Sequence, residues 1–274
     1  MNEYDFYIVP TPIGNLADIT LRAIDVLKSV DIVACEDMRV TQKLLNHYDI
    51  KTKCISYHKF NEKERINLFL KYLSEGKKIA LVSDAGTPLI CDPGAVIVDE
   101  LRKNDIKYTA LPGANAVITF LSQISRQDES FTFVGFLPKT DSQIYDLVEK
   151  YKGSDLVFYD SPNRLLKTLQ IMKTVRPDAK IAIGRELTKI FEEIVVDTAE
   201  NIIKYFEENT LKGEIVGMVY RSQEIFGDKD YTEEIKKLKN KGFKAKEIST
   251  ILSEIFNVNK NTVYKRVLEL EKIM

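Results

Sequence analysis

Short apolar runs rich in β-branched and aromatic residues alternate with longer stretches of helical period, and this alternation constrains the fold more than any other feature of the chain. "YDFYIV" precedes "LRAIDVLKSV", "DIVAC" precedes "TQKLLNHY", "KCISYH" precedes "NEKERINLFLKYL", and "KIALVS" precedes "AVIVDELRKN", with "KYTALPG" after them. Such an order predicts an α/β domain built on a largely parallel sheet. Beyond "LPGANA" the pattern resumes with "FTFVGF", "DLVFYD", "KIAIGRE", "EEIVVDT" and "GEIVGMVY", separated in part by helical segments. "KIAIGRE" and "EEIVVDT" lie too close for a crossover helix and are expected to pair antiparallel, which makes the second sheet mixed. After the polar "RSQEIFGDKD" come three helical segments, the last two joined by "NVN" in the layout of a helix-turn-helix. The expected division is residues 1–112, an N-terminal α/β domain; 113–225, a second α/β domain with a mixed sheet; and 231–274, a basic helical tail.

Charge is unevenly spread. Residues 231–274 carry ten Lys or Arg against six Asp or Glu, while the chain as a whole has a formal charge of -1, so a basic tail follows a mildly acidic body. No apolar run approaches the roughly 20 residues of a membrane span, and "MNEYDFYIVPT" lacks the layout of a signal peptide. A cytoplasmic protein without membrane attachment is expected. The three cysteines, Cys35, Cys54 and Cys91, have no C-x-x-C spacing and read as buried or half-buried packing residues. With only two histidines, His47 in a helical pattern and His58 at the end of a strand-like run, no metal site is expected.

Neither of the common phosphate cradles is present: no G-x-G-x-x-G follows the first strand and no G-x-x-x-x-G-K-[ST] occurs. Instead, polar turns rich in Gly and Pro stand directly after predicted strands: "PTPIGNL", "CEDMRVT", "SDAGTPLICDPG", "LPGANA", "YDSPNR" and "GRELTK". The carboxyl ends of strands in an open α/β sheet form the ligand crevice, so these turns are expected to converge on one cleft. Small and bent residues there let a ligand meet bare backbone.

The blocks "PTPIGNLADITLRA", "ACEDMRVTQKLL", "SYHKFNEKER", "LVSDAGTPLICDPG", "LPGANAVITFL", "GFLP", "YDSPNR", "GRELTKIFEE" and "KGE" run in the order of the ribosomal RNA small subunit methyltransferase I family, a branch of the tetrapyrrole methylase superfamily, and the chain resembles that family over nearly its whole length. Met38, Lys59, Phe60, Asp160 and Asn163 depart from the family's usual pattern. The resemblance implies a two-domain tetrapyrrole methylase-like fold and an S-adenosylmethionine-dependent enzyme. It further implies methylation of a cytidine 2′-hydroxyl in the decoding region of small-subunit (16S) ribosomal RNA. The partners so implied are the small ribosomal subunit and a second copy of the chain in a homodimer, with no DNA and no membrane. Carried over position by position, Pro12, Ala85, Gly86, Thr87, Ile90, Asn115, Ala116, Asp160 and Leu187 line the cofactor pocket.

A sulfonium methyl is already activated, so transfer to a ribose oxygen needs in-line placement and removal of one proton, not a metal or a covalent intermediate. Glu62, Asp84, Glu186 and Lys189 stand in the right blocks to serve as base, and the sequence does not choose among them. Arg39 and Arg185 suit phosphate contacts, as do Lys244, Lys246, Lys265 and Arg266 of the tail. Two other readings are a tetrapyrrole or other small-molecule methyltransferase of the same fold, against which the basic tail argues, and a DNA-binding regulator with a ligand-sensing α/β body.

Overall fold

The computed structural model describes residues 4–58, 61–92, 94–126, 130–222, 231–256 and 260–273. The first part of the chain runs β1 (Phe6–Val9), α1 (Leu21–Ser29), β2 (Ile32–Cys35), α2 (Met38–His47), β3 (Lys53–Ser56), α3 (Glu62–Ser74), β4 (Ile79–Val82), α4 (Ala95–Lys103) and β5 (Tyr108–Ala110). These strands form one sheet in the order β3-β2-β4-β1-β5, every pairing parallel. Four-residue runs such as "IALV" in β4 are buried along their whole length, as expected of strands covered by helices on both faces. One face packs Val9, Leu27, Val33 and Leu45, the other Phe6, Ile32, Phe69, Ile79 and Leu101. Thr20 caps α1 by accepting from the Ala23 amide at 3.1 Å, and Asp37 caps α2 through the Arg39 amide at 2.8 Å.

The chain continues with α5 (Ala116–Leu121), β6 (Thr132–Phe136), α6 (Asp141–Lys150), β7 (Leu156–Asp160), α7 (Leu165–Val175), β8 (Lys180–Arg185), β9 (Glu193–Thr198), α8 (Ala199–Glu208) and β10 (Ile215–Val219). The second sheet has the order β6-β7-β10-β8-β9. Only β6 and β7 pair in parallel; β8 and β9 pair antiparallel, as their short separation requires, and the sheet is mixed. On one face α6, α7 and α8 cover a core of Phe158, Leu165, Leu169, Met172, Ile202 and Phe206. On the other, α5 contributes Val117 and Phe120 to a cluster with Ile13 of the first sheet's leading loop and Leu187 of the second, so the two sheets share a core.

Both sheets lie in one compact unit, Met1–Tyr220; a second unit, Arg221–Met274, contains the tail. The tail comprises α9 (Thr232–Asn240), α10 (Ala245–Phe256) and α11 (Lys260–Ile273) around its own core of Ile235, Ile248, Leu252, Val263 and Val267. Three helices occur where three were expected. The linker 223–230, the "NVN" joint at 257–259, and Lys59 and Phe60 fall outside the described residues. No described helix is long and apolar enough to cross a membrane.

Candidate active site

The loops that leave β1, β2, β4 and β5 at their carboxyl ends meet the loops of β6, β7 and β8 and the start of β10 around a cavity of about 370 Å³. This is where an α/β sheet places a ligand, and the volume suits a small molecule. Loop closure is largely backbone work. Thr11 and Gly86 exchange both amide–carbonyl bonds at 2.9 Å, a one-residue bridge that ties the β1 loop to the β4 loop. The Thr11 hydroxyl donates to the Ser83 carbonyl at 3.0 Å, the Ser83 hydroxyl to the Gly86 carbonyl at 2.9 Å, and the Thr87 hydroxyl to the Ala114 carbonyl at 3.1 Å. Gly86 sits at φ +77°, where an L side chain is strained, and a Cβ there would lie 3.3 Å from Ile13. The second sheet's loop reaches back: the Asn15 amide donates to the Thr188 hydroxyl at 3.0 Å, and a Cβ on Gly14 would stand 2.6 Å from the Lys189 side chain. Glu186 and Thr188, on either side of Leu187, both adopt positive φ, which turns Leu187 inward to a buried position on the cavity wall.

Of the nine positions carried over for the cofactor, Ala85, Gly86, Thr87, Ile90, Asn115, Ala116, Asp160 and Leu187 line this cavity. Pro12 is not among its lining residues; the adjacent Ile13 is. Two of these side chains are already engaged. Asn115 caps α5 by accepting from the Ile118 amide at 3.1 Å. Asp160 is buried and accepts from the Ser161 amide at 2.8 Å, the Thr168 hydroxyl at 2.7 Å and the Arg164 guanidinium. Arg164 also donates to the carbonyls of Leu137 and Pro138 at 2.8 and 2.6 Å, so the pair staples the "GFLP" and "YDSPNR" turns together.

The four candidate bases separate. Glu62 accepts from the Tyr57 hydroxyl at 2.7 Å and is not a wall residue. Glu186 and Lys189 form an ion pair at 2.8 Å, and Lys189 also reaches Glu214 at 3.0 Å. Burial pulls the Lys189 ammonium down, but the two carboxylates outweigh it and its pKa is raised, so it is a held cation and not a proton acceptor. Asp84 alone of the four lines the cavity, accepting from the Asp37 amide at 3.0 Å. The arginines are paired too: Arg39 with Asp37 at 2.6 Å on an exposed surface, and Arg185 with Glu193 at 2.9 Å and with the Lys212 carbonyl at 3.3 Å. Lys246, Lys265 and Arg266 are exposed on the tail helices, and Lys244 is exposed just before α10.

Sequence reasoning missed several wall residues: Glu36, Cys91, Asp92, Phe136, Tyr159 and Glu214. Cys35 is buried and Cys54 half-buried as expected, but Cys91 is exposed at the cavity, because the turn after β4 carries it away from the core. Burial pushes the Asp92 carboxyl up to about 6, with like-charge repulsion from Glu36 and Asp84 adding to it. Phe136 leaves β6 at an irregularity in the β6–β7 register, lies 67% exposed, and rests against Tyr159 with ring centroids 5.3 Å apart. Among the described residues five carboxylates and no Lys or Arg stand in the wall, beside apolar Ile13, Ile90, Leu187, Ile215 and Val216. Among the described residues no group of three or more His, Cys, Asp or Glu is gathered to hold a metal ion. The cavity therefore suits an organic ligand with an apolar body and positive charge.

Solved structures of low sequence identity share this architecture. Diphthine synthase superposes with a TM-score of 0.63 at 11% identity, covering 78% of this chain and 89% of that one. A cobalt precorrin-4 methyltransferase of cobalamin biosynthesis gives 0.59 at 17% identity, covering 78% and 94%. The fold is thus the two-sheet fold of this methylase class. Residues 5–203 match the family of tetrapyrrole (corrin/porphyrin) methylases. Similarity in sequence is higher to bacterial proteins named ribosomal RNA small subunit methyltransferase I: 40% identity to that of Buchnera aphidicola over 99% of this chain and 100% of the relative, and 42% to that of Vibrio cholerae over 96% and 94%. The Bacillus subtilis protein of the same name is 39% identical over 94% and 92%. The chain belongs to the tetrapyrrole methylase family and, within it, to the ribosomal RNA small subunit methyltransferase I family.

Proposed function

We propose that the chain transfers a methyl group from S-adenosylmethionine to the 2′-hydroxyl of a cytidine in the decoding region of 16S ribosomal RNA. The observation that carries this reading is the identity of about 40% over nearly the whole length of bacterial proteins that bear the small-subunit methyltransferase name. The cavity supports it. Its carboxylates, with no basic side chain among the described residues of the wall, favour a sulfonium and an ammonium, and its aliphatic wall and small-residue turn leave room for a nucleoside. Bound there, the cofactor supplies an electrophilic methyl group. Ala85, Gly86, Thr87, Asn115 and Ala116 would hold it from the first sheet's side, and Leu187, Ile215 and Val216 from the second's. Asp160 would shape the pocket through its hydrogen bonds to Arg164 and Thr168 more than through a free oxygen.

The remaining parts of this reading are the domain division into 1–112, 113–225 and 231–274, a homodimeric assembly in the cytoplasm, and phosphate contacts by Lys244, Lys246, Lys265 and Arg266. Exposure of these four cations on a helical unit with its own core supports the last of them. Arg39 can swing from Asp37 to a phosphate at little cost, since both side chains meet solvent, whereas Arg185 is more enclosed and its bonds to Glu193 and Lys212 mark it as a strut. The test is methylation of purified small ribosomal subunits lacking the modification, followed by nucleoside mass spectrometry. A 2′-O-methylcytidine product is expected; a methylated base, or turnover of a porphyrin precursor instead of the subunit, would overturn the assignment.

A further inference from the structure

The candidate bases named from the sequence are engaged by neighbours, and the cavity wall contains a carboxylate that is not. Asp84 accepts a backbone amide, Asp160 has three donors, and Glu214 pairs with Lys189. Asp92 forms neither a hydrogen bond nor an ion pair among the described residues, although it is half-buried on the wall between the exposed Cys91 and the turn into α4. A carboxylate drawn partly out of water with no donor is costly to keep, and such groups mark places where a proton is exchanged. Glu36, on the loop after β2, also has no partner among the described residues, but it is exposed.

We propose that Asp92 is the catalytic residue that accepts the proton of the attacking ribose hydroxyl, an inference that rests on the ribosomal RNA reading above. In the step, the O–H bond breaks and its proton passes to an Asp92 carboxylate oxygen. The hydroxyl oxygen's electron pair forms the new C–O bond while the methyl carbon leaves the sulfonium sulfur, which keeps the bonding pair and becomes a neutral thioether. The carboxyl then returns its proton to water. The groups that face Asp92 are consistent with this role. Asp84 from the β4 loop and Glu36 from the β2 loop are like charges, Tyr159 from β7 is held neutral by burial, and among the described residues no Lys or Arg lines the wall to pin the carboxylate. A carboxyl that titrates at about 6 is ionised at neutral pH yet is a stronger base than an ordinary Asp, which is the compromise general-base catalysis favours.

The experiment compares wild type, Asp92→Asn, Asp92→Glu and Glu36→Gln in single-turnover methylation of small ribosomal subunits across a pH series, with S-adenosylmethionine affinity measured by calorimetry. Wild-type rate should rise as pH passes through about 6 and level off above it. Asp92→Asn should lower the plateau by about 100-fold or more and erase the inflection, with cofactor affinity within about threefold, while Asp92→Glu recovers part of the rate. Without any turnover, carbon-13 NMR of the free enzyme should show one carboxyl titrating near pH 6 that is missing in Asp92→Asn; its absence from wild type overturns the proposal. So does a wild-type rate in Asp92→Asn, a rate loss fully matched by lost cofactor affinity, or an inflection abolished by Glu36→Gln alone. Wild type inactive on small subunits overturns the ribosomal RNA reading itself, and is told apart from the failure of Asp92 by the wild-type control.

Discussion

The two walls of the cavity are built on different principles. The parallel sheet's wall is made of turns closed by backbone pairs, Thr11 with Gly86 above all, and its acidic side chains Glu36 and Asp92 are left unengaged among the described residues. The mixed sheet's wall is closed by side-chain ion pairs: Asp160 with Arg164, Lys189 with Glu186 and Glu214, Arg185 with Glu193. Backbone closure needs small residues and frees side chains for a ligand; ion-pair closure uses up the charged side chains and presents an apolar face. One wall thus offers groups for chemistry and the other provides a shaped, rigid support.

The sharpest way to break this comparison is at Asp160. Asp160→Asn leaves the Arg164 guanidinium short of its charge partner beneath the second wall, and should cost about 3 kcal/mol of stability, measured as a shift in urea midpoint. Asp84→Asn on the first wall should cost far less; equal losses would mean that the walls are not differently built. Next in size, Gly86→Leu places a side chain at φ +77° against Ile13 and should weaken S-adenosylmethionine binding by about 100-fold while the fold survives, since strain of this kind costs on the order of 1–3 kcal/mol. Undiminished binding by calorimetry would remove this turn from the cofactor site. Leu187→Ala, on the apolar wall, should reduce cofactor affinity by about tenfold, the worth of a buried aliphatic contact. Smallest in its effect on the cavity is removal of residues 231–274. Cofactor affinity should be unchanged, while affinity for small ribosomal subunits falls and its salt dependence flattens. A truncated enzyme that methylates subunits as well as the full chain across a salt series would show that the tail is not an RNA-binding module.

Much of this architecture was legible in the order of residues. Period-two and period-3.6 patterns are properties of neighbours in sequence, so the parallel sheet, the antiparallel β8–β9 pair and the three tail helices could be read without coordinates. The small, bent turns after strands announced a cleft, since only Gly, Pro and short polar residues suit such geometry, and eight of the nine carried-over positions do face the cavity. Which charged side chain is free to act was not legible. Glu62, Asp84, Glu186, Lys189 and Asp92 are alike as charged letters; they differ because Tyr57, the Asp37 amide and Glu214 come within bonding distance of the first four, and no partner comes to Asp92 among the described residues. Cys91 escaped a packing role for the same reason. Local pattern is written by covalent neighbours, and so the sequence determined the sheets and turns. Burial, hydrogen-bond partners and the resulting proton affinities depend on how loops are set in space, often between residues tens of positions apart such as Asp37 with Asp84 and Lys189 with Glu214, and only the tertiary structure decided those.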